Sequence, residues 1–382
     1  SIQSQSQSQS LSTSAFFQQA QVNPHDFANR VTWGANKASE QQLRELGPDA
    51  YLLQQLRARQ AQLPAQIQTQ IDAMTISQRP FVEMMQALDQ QREESAKMKG
   101  TDDTLRQAYQ QELTRIAREA ASRSLLRSIY SSNQLLEQMN WFWMNHFNIS
   151  NRKDNLRAML ADFEENAIRP HALGNFRDLL KATVLHPAML RYLDNEHNAV
   201  NKINENYARE LLELHTMGVG SGYTQADVQE LARVLTGLGV RIKADTPRPN
   251  QAQLAGYHRL GLTEFHPRRH DFGEKTILGT TIKAQGLAEI DQVLDLLMRQ
   301  PATAKFLSQK LAQFFVADDP SDALVQSMAK QFLLTKGDIP SVLKTMFESS
   351  EFVASLGKKF KDPMHYVISS VRLAYEDKMI VN

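Results

Sequence analysis

The chain of 382 residues sets 43 Lys and Arg against 42 Asp and Glu, has no cysteine, and is 42% hydrophobic and 22% charged. This is an ordinary globular composition, long enough to bury a sizeable core. The missing cysteines exclude disulfides, thiolate metal sites, thiol nucleophiles and Cys-ligated iron–sulfur clusters, and a net charge of +1 argues against a nucleic-acid binder that works through bulk charge.

The opening SIQSQSQSQSLSTS is polar and of low complexity. Residues 1–24 are therefore expected to be a disordered tail, and 25–382 a single large helical domain. Helical periodicity then runs through 40–62, 80–99, 104–130, 133–147 and 152–168. In 133–147, Leu135, Met139, Phe142 and His146 recur at helical spacing, and Leu136, Trp143 and Phe147 widen the stripe. That helix should be buried over much of its circumference. Residues 175–193 read as two helices broken at Pro187, followed by 203–216 and 225–238. Thr224 with Asp227 is a capping box. Residues 239–285 lose the stripe and form an irregular insert, with 276–282 as the best strand candidate and one short hairpin at most. Helices resume at 287–298, 301–316, 322–334, 340–348 and 363–377. The fold class is all-α, a large multi-helix array. No segment approaches the roughly 20 apolar residues of a membrane span.

Five blocks are distinctive: 29–56 (NRVTWGANKASEQQLRELGPDAYLLQQL), WFWMNHF at 141–147, HPAMLRYLDN at 186–195, the stretch from Asn204 to Gly239, and RRHDFGEKTILG at 268–279. In this order they resemble the bacterial family of unknown function DUF1800, with Met217 and Leu238 as minor departures. The resemblance implies an exported protein, periplasmic or extracellular, whose leader is absent from this chain. It also implies a gene often placed beside a sulfatase-like partner. It implies no assigned reaction.

The central block can be read on a helix wheel. Advancing about 100° per residue puts Leu211, Leu212, Leu214 and His215 on the face of Tyr207, and gathers Asn206, Arg209, Glu210 and Glu213 on an arc of about 100°. Glu213 and His215 fall about 160° apart and cannot share a metal on one helix. His215 reads as a core histidine with one satisfied hydrogen bond. The polar arc has two readings. It is a solvated surface with an Arg209–Glu213 ion pair, or it is a cleft wall whose two carboxylates have divided pKa values and serve as acid and base.

His270 and Asp271, with Gly273 and Lys275, sit in the insert. They read as catalytic groups on a loop, or as an Asx-type turn. His258, His266, His270 and Asp271 supply the donors for a metal but match no ligand spacing, so no metal and no cofactor is assigned. His146 lies among aromatics, as packed core or as a buried base. Trp141 and Tyr223 are the aromatics expected to be exposed for stacking on sugar rings. Walker, dinucleotide, G-x-S-x-G, H-E-x-x-H and EF-hand signatures are all lacking.

Three functions follow as expectations. The first is a hydrolase or lyase acting on a carbohydrate polymer. In it Glu210, Glu213, His270 and Asp271 are catalytic, and Asn206, Arg209, Trp141, Tyr223, Lys275 and His146 contact substrate. The second is a non-catalytic binding or assembly partner of a sulfatase-like protein. The third is a metal-dependent enzyme built on the insert histidines.

Overall fold

Apolar residues repeating every three to four positions build most of this chain into helices, and the computed structural model describes residues 15–245 and 255–375. The fold is all-α in class. The helix Phe81–Lys97 packs on Thr104–Tyr130. Pro301–Phe315 packs on Asp322–Leu334, which in turn packs on Ile339–Phe347. Gln134–His146 runs through the centre, with Gln134 to Asn140 buried without a break, as its wide stripe predicts. Trp143, Phe147 and Phe176 stack around it, and the Trp143 indole donates to Ala172 O at 3.0 Å. Trp143, Phe176, Leu211, Leu294, Phe315 and Phe347 belong to one continuous apolar cluster.

Several boundaries follow from local chemistry. Thr224 and Asp227 form the expected capping box. Pro187 opens a helix whose N-cap is the His186 side chain, accepting from Ala188 N. Gly34 lets two elements meet. A Cβ at that position would lie 2.5 Å from Ser369 Cβ on the helix Pro363–Ala374.

Three expectations need correction. The tail ends earlier than residue 24. Phe16–Ala20 is helical, Phe17 is buried edge-on against Phe27, and the Phe17 and Gln18 amides donate to the Asp49 carboxylate. Two aromatic rings and a capping acid order a segment that its polar composition marks as free. Residues 1–14 lie outside the described residues. The expected helix 152–168 is broken into short turns, ending in a π-helix over Phe163–Ile168. The buried pair Arg169–Glu137, with Nη1–Oε1 2.5 Å and Nη2–Oε2 2.9 Å, anchors its end.

The insert, finally, holds more strand than one hairpin. Strands β1 (Leu238–Val240), β2 (His258–Leu260) and β3 (Thr263–Phe265) form an antiparallel sheet in the order β1-β3-β2. Strands β4 (Lys275–Ile277) and β5 (Thr280–Ile282) form the expected hairpin. These strands are three residues long, too short for an alternating pattern to stand out in the sequence. The β4–β5 turn places Leu278 and Gly279 at positive φ, 50° and 73°, as a type I′ turn requires.

Candidate functional site

The central segment begins as the α-helix Asn206–Glu210 and widens into a π-helix over Leu211–Thr216. Met217 N accordingly bonds back five residues to Leu212 O at 2.9 Å. In a π-helix each residue advances about 82°, not 100°, so the side-chain phase slips from Leu211 onward. The slip explains one wrong expectation. Leu214 turns to the polar side and is 46% exposed, whereas Leu211, Leu212 and His215 stay buried.

The polar arc is real but is wired differently from the wheel. Arg209 pairs with Glu205 at 3.1 Å, not with Glu213, and also donates to Gln225 Oε1. Gln225 Nε2 completes the link by donating to the same Glu205 oxygen at 2.8 Å. Glu210 and Glu213 therefore keep no cation as an ion-pair partner among the described residues. Partial burial and then the charge of Glu213 raise the Glu210 carboxyl above its ordinary range. Tyr223 is half-buried beside them, its phenol raised by burial and by Glu213. Asn206 turns its amide to Leu193 O at 3.2 Å. Glu210, Glu213, Arg209 and Tyr223 thus form one patch, with Asn206 at its N-terminal end.

Beneath the π-turn lies a histidine pair. His146 Nε2 donates to His215 O at 2.9 Å. A carbonyl can only accept, so the proton sits on Nε2 and the bare Nδ1 receives Lys310 Nζ at 2.7 Å. Phe142, Trp143, Phe147 and Phe306 surround the His146 ring. Burial and the Lys310 charge hold His146 well below the usual histidine range and push His215 down to about 3. Burial alone brings Lys310 down to about 8. His215 is buried as expected, and its Nδ1 has no hydrogen-bond partner among the described residues.

His270 and Lys275 do not meet this patch. Both side chains are 0% exposed and converge on the equally enclosed Glu289. His270 donates through Nδ1 to Thr236 O and through Nε2 to Glu289 Oε2, each at 2.7 Å. Lys275 Nζ takes the other Glu289 oxygen and Asp271 O, and Gly286 N donates to the carboxylate at 2.7 Å. Both ring nitrogens of His270 are thus engaged, and Glu289 is the acid shared by His270 and Lys275. These partners draw the Glu289 carboxyl below its ordinary range against the opposing effect of burial. The reading of His270 as a loop catalyst and of Lys275 as a ligand contact is thereby corrected: neither reaches solvent. Asp271 is held by Arg233 at 2.7 and 3.2 Å and accepts from Gly273 N, the Asx turn of the simpler reading. These contacts bring its carboxyl down to about 2.

The insert imidazoles do not gather either. His258 is exposed on β2, and His266 packs edge-on against Tyr257. Among the described residues no group of three or more His, Asp or Glu is placed to hold a metal ion. Trp141 is not an open stacking surface but packs on Trp33 at 6.0 Å with Ile129 and Ile368.

Sequence reasoning missed Glu289, Lys310 and the Glu137–Arg169 pair. Glu137, Glu289 and Lys310 lie on α-helices, where a lone charge resembles a surface residue, and Arg169 lies in a short turn. It also missed a cleft of about 470 Å³ near the Pro24–Val31 and Pro363–Ala374 helices, where His365 is spanned by Asp362 (2.6 Å) and Gln138 Oε1 (2.9 Å). Among the described residues, no helix is long and apolar enough to cross a membrane.

Among known families, the one described as "Protein of unknown function (DUF1800)" matches residues 26–382. No curated protein and no solved structure matches the chain.

Proposed function

The chain belongs to the DUF1800 family, and from that premise we propose that it is an exported enzyme, a hydrolase or lyase acting on a carbohydrate polymer, with Glu210 and Glu213 as its acid and base. The observation that carries the reading is the uncompensated carboxylate pair. Arg209 is drawn to Glu205, and partial burial, then the Glu213 charge, raise the Glu210 carboxyl above its ordinary range. Two carboxyls whose environments push their pKa values apart are the standard means of running acid and base chemistry in one site. In hydrolysis, Glu210 protonates the leaving glycosidic oxygen, and the Glu213 carboxylate activates water or meets the cationic sugar. Tyr223 offers a ring face and Arg209 a flanking cation. A π-turn at the site agrees with the frequent placement of such distortions at functional positions.

The test is a glycan-library screen for cleavage, repeated with Glu210→Gln and Glu213→Gln. A loss of rate of about a hundredfold or more in each folded variant is expected. Full activity in both sinks the assignment.

A second reading, a non-catalytic assembly partner of a sulfatase-like protein, draws support from the enclosure of His270, which removes a third group from the pair. Stable co-purification with such a protein, and no turnover of any glycan, would favour it.

A further inference from the structure

The arginines of this chain are mostly spoken for. Arg169 binds Glu137, Arg177 binds Asp291 and Asp295, Arg191 binds Glu196, and Arg233 binds Glu230 and Asp271. One groove breaks the pattern. It has a volume of about 490 Å³ and is walled by His197, Lys202, Arg268 and Arg269, with the loop 199–201 between them and no carboxylate in its lining. Among the described residues none of these four basic side chains has an ion-pair partner. Glu196, the acid next to His197, offers Arg269 only its backbone carbonyl, at 2.7 Å. Its carboxylate is committed to Arg191 at 3.1 and 3.2 Å.

The groove is also built. Ala199 and Lys202 exchange both backbone hydrogen bonds, 3.1 and 2.8 Å, closing a tight turn. Val200 N then ties that turn to Arg269 O at 2.7 Å. Arg269 is half-buried, and Nη2 donates to Glu196 O. A guanidinium has five N–H donors in a fixed fork suited to planar or tetrahedral oxyanions, so most of its donors stay free. Lys202, Arg268 and His197 are exposed around it. Like charges gathered in a concavity repel one another, and an anion between them relieves that repulsion and takes up the free donors.

We propose that this groove is a binding site for an oxyanion group, a sulfate, phosphate or carboxylate, gripped by Arg269 from the wall and by Lys202, Arg268 and His197 from the rim. Lys275, sealed against Glu289, offers no such grip to a ligand. The site does not depend on the carboxylate pair, and a binding readout without turnover keeps the two questions separate.

The test is calorimetric titration of the full chain with sodium sulfate, sodium phosphate and a monosulfated glucuronate disaccharide, with ionic strength held constant by chloride. Saturable binding is expected. It should weaken about tenfold or more in Lys202→Glu/Arg268→Glu and stay unchanged in Lys305→Glu, an exposed lysine outside the groove. Both groove substitutions are at exposed positions, and an unchanged unfolding midpoint confirms that the double variant is folded. Sulfate binding as tightly as the disaccharide identifies a free-anion site. Tighter binding of the disaccharide identifies a group carried on a saccharide. Absence of saturable binding, or equal affinity in the double variant, overturns the proposal.

Discussion

Glu289 and the pair Glu210–Glu213 are carboxylates in opposite situations. Glu289 is sealed against the insert and matched by the His270 ring, the Lys275 ammonium and a backbone amide. Glu210 and Glu213 lie on a half-open helix face, where the one nearby arginine has been taken by Glu205. The first arrangement holds strands β4 and β5 and the start of the helix Glu289–Met298 in one geometry. The second leaves charge unspent, and unspent charge is available for chemistry. Compensation, rather than residue type, separates the two.

The largest effect should come from breaking the sealed site. Glu289→Gln leaves the buried Lys275 ammonium without its counter-charge and is expected to cost about 3–5 kcal/mol of stability by denaturant unfolding. The double variant Glu289→Leu/Lys275→Met should recover part of that loss, because charge and counter-charge leave together. If the single and double variants are equally unstable, the ionic reading of the site is wrong.

Close packing comes next. Gly34→Ala sets a methyl against Ser369 Cβ and should cost about 1–3 kcal/mol, readable as a lowered unfolding midpoint, with Gly47→Ala as an unhindered comparison only in space, since its φ of 77° adds strain of its own.

The acid limb sharpens the contrast. The folded-state pKa values of Glu289 and Asp271 lie below their unfolded values, Asp271 at about 2. Their stabilisation is therefore complete above the unfolded carboxylate range and is lost as pH falls through the folded values. Glu210 has the opposite sign. Its folded pKa is raised, so its charge weighs against the fold at neutral pH, and that penalty is relieved as the carboxyl takes up its proton on acidification. Stability measured against pH should show a shallower acid loss in Asp271→Asn than in the parent. A loss as steep as the parent's would remove Asp271 from the account.

The smallest stability changes belong to the open pair. Glu210→Gln and Glu213→Gln should each alter stability by no more than about 0.5 kcal/mol. Glu213→Gln should also lower the Glu210 pKa, as followed by carboxyl NMR titration, because it removes the repelling charge. An unmoved Glu210 titration would mean that the two carboxyls do not sense each other.

Much of this molecule was legible from the order of its residues. The stripe Leu135, Met139, Phe142 and His146 marked the central helix. Pro187 and Thr224–Asp227 marked helix starts, and 276–282 marked the hairpin. These features are local, set by period, capping and fixed φ over a few residues. The membership of Arg209, Glu210 and Glu213 in one arc was equally local, and so survived. What period alone misjudged was the exposure of Leu214, because a π-turn changes the angle per residue without changing composition. The aromatic anchoring of Phe17 and the strands β1 to β3 also went unseen, since each depends on a partner distant in the chain.

Sequence by itself determined the helical class, the central helix and the carboxylate arc, because neighbouring residues dictate them. Only the tertiary structure decided which charges are free. It set Glu289 against His270 and Lys275, turned Arg209 to Glu205, placed Lys310 on His146, and left Arg269 among cations with no acid. Apart from Arg209–Glu205, one helical turn apart, these are contacts between residues distant in the chain, most of them in a medium of low dielectric, and the local pattern does not encode them.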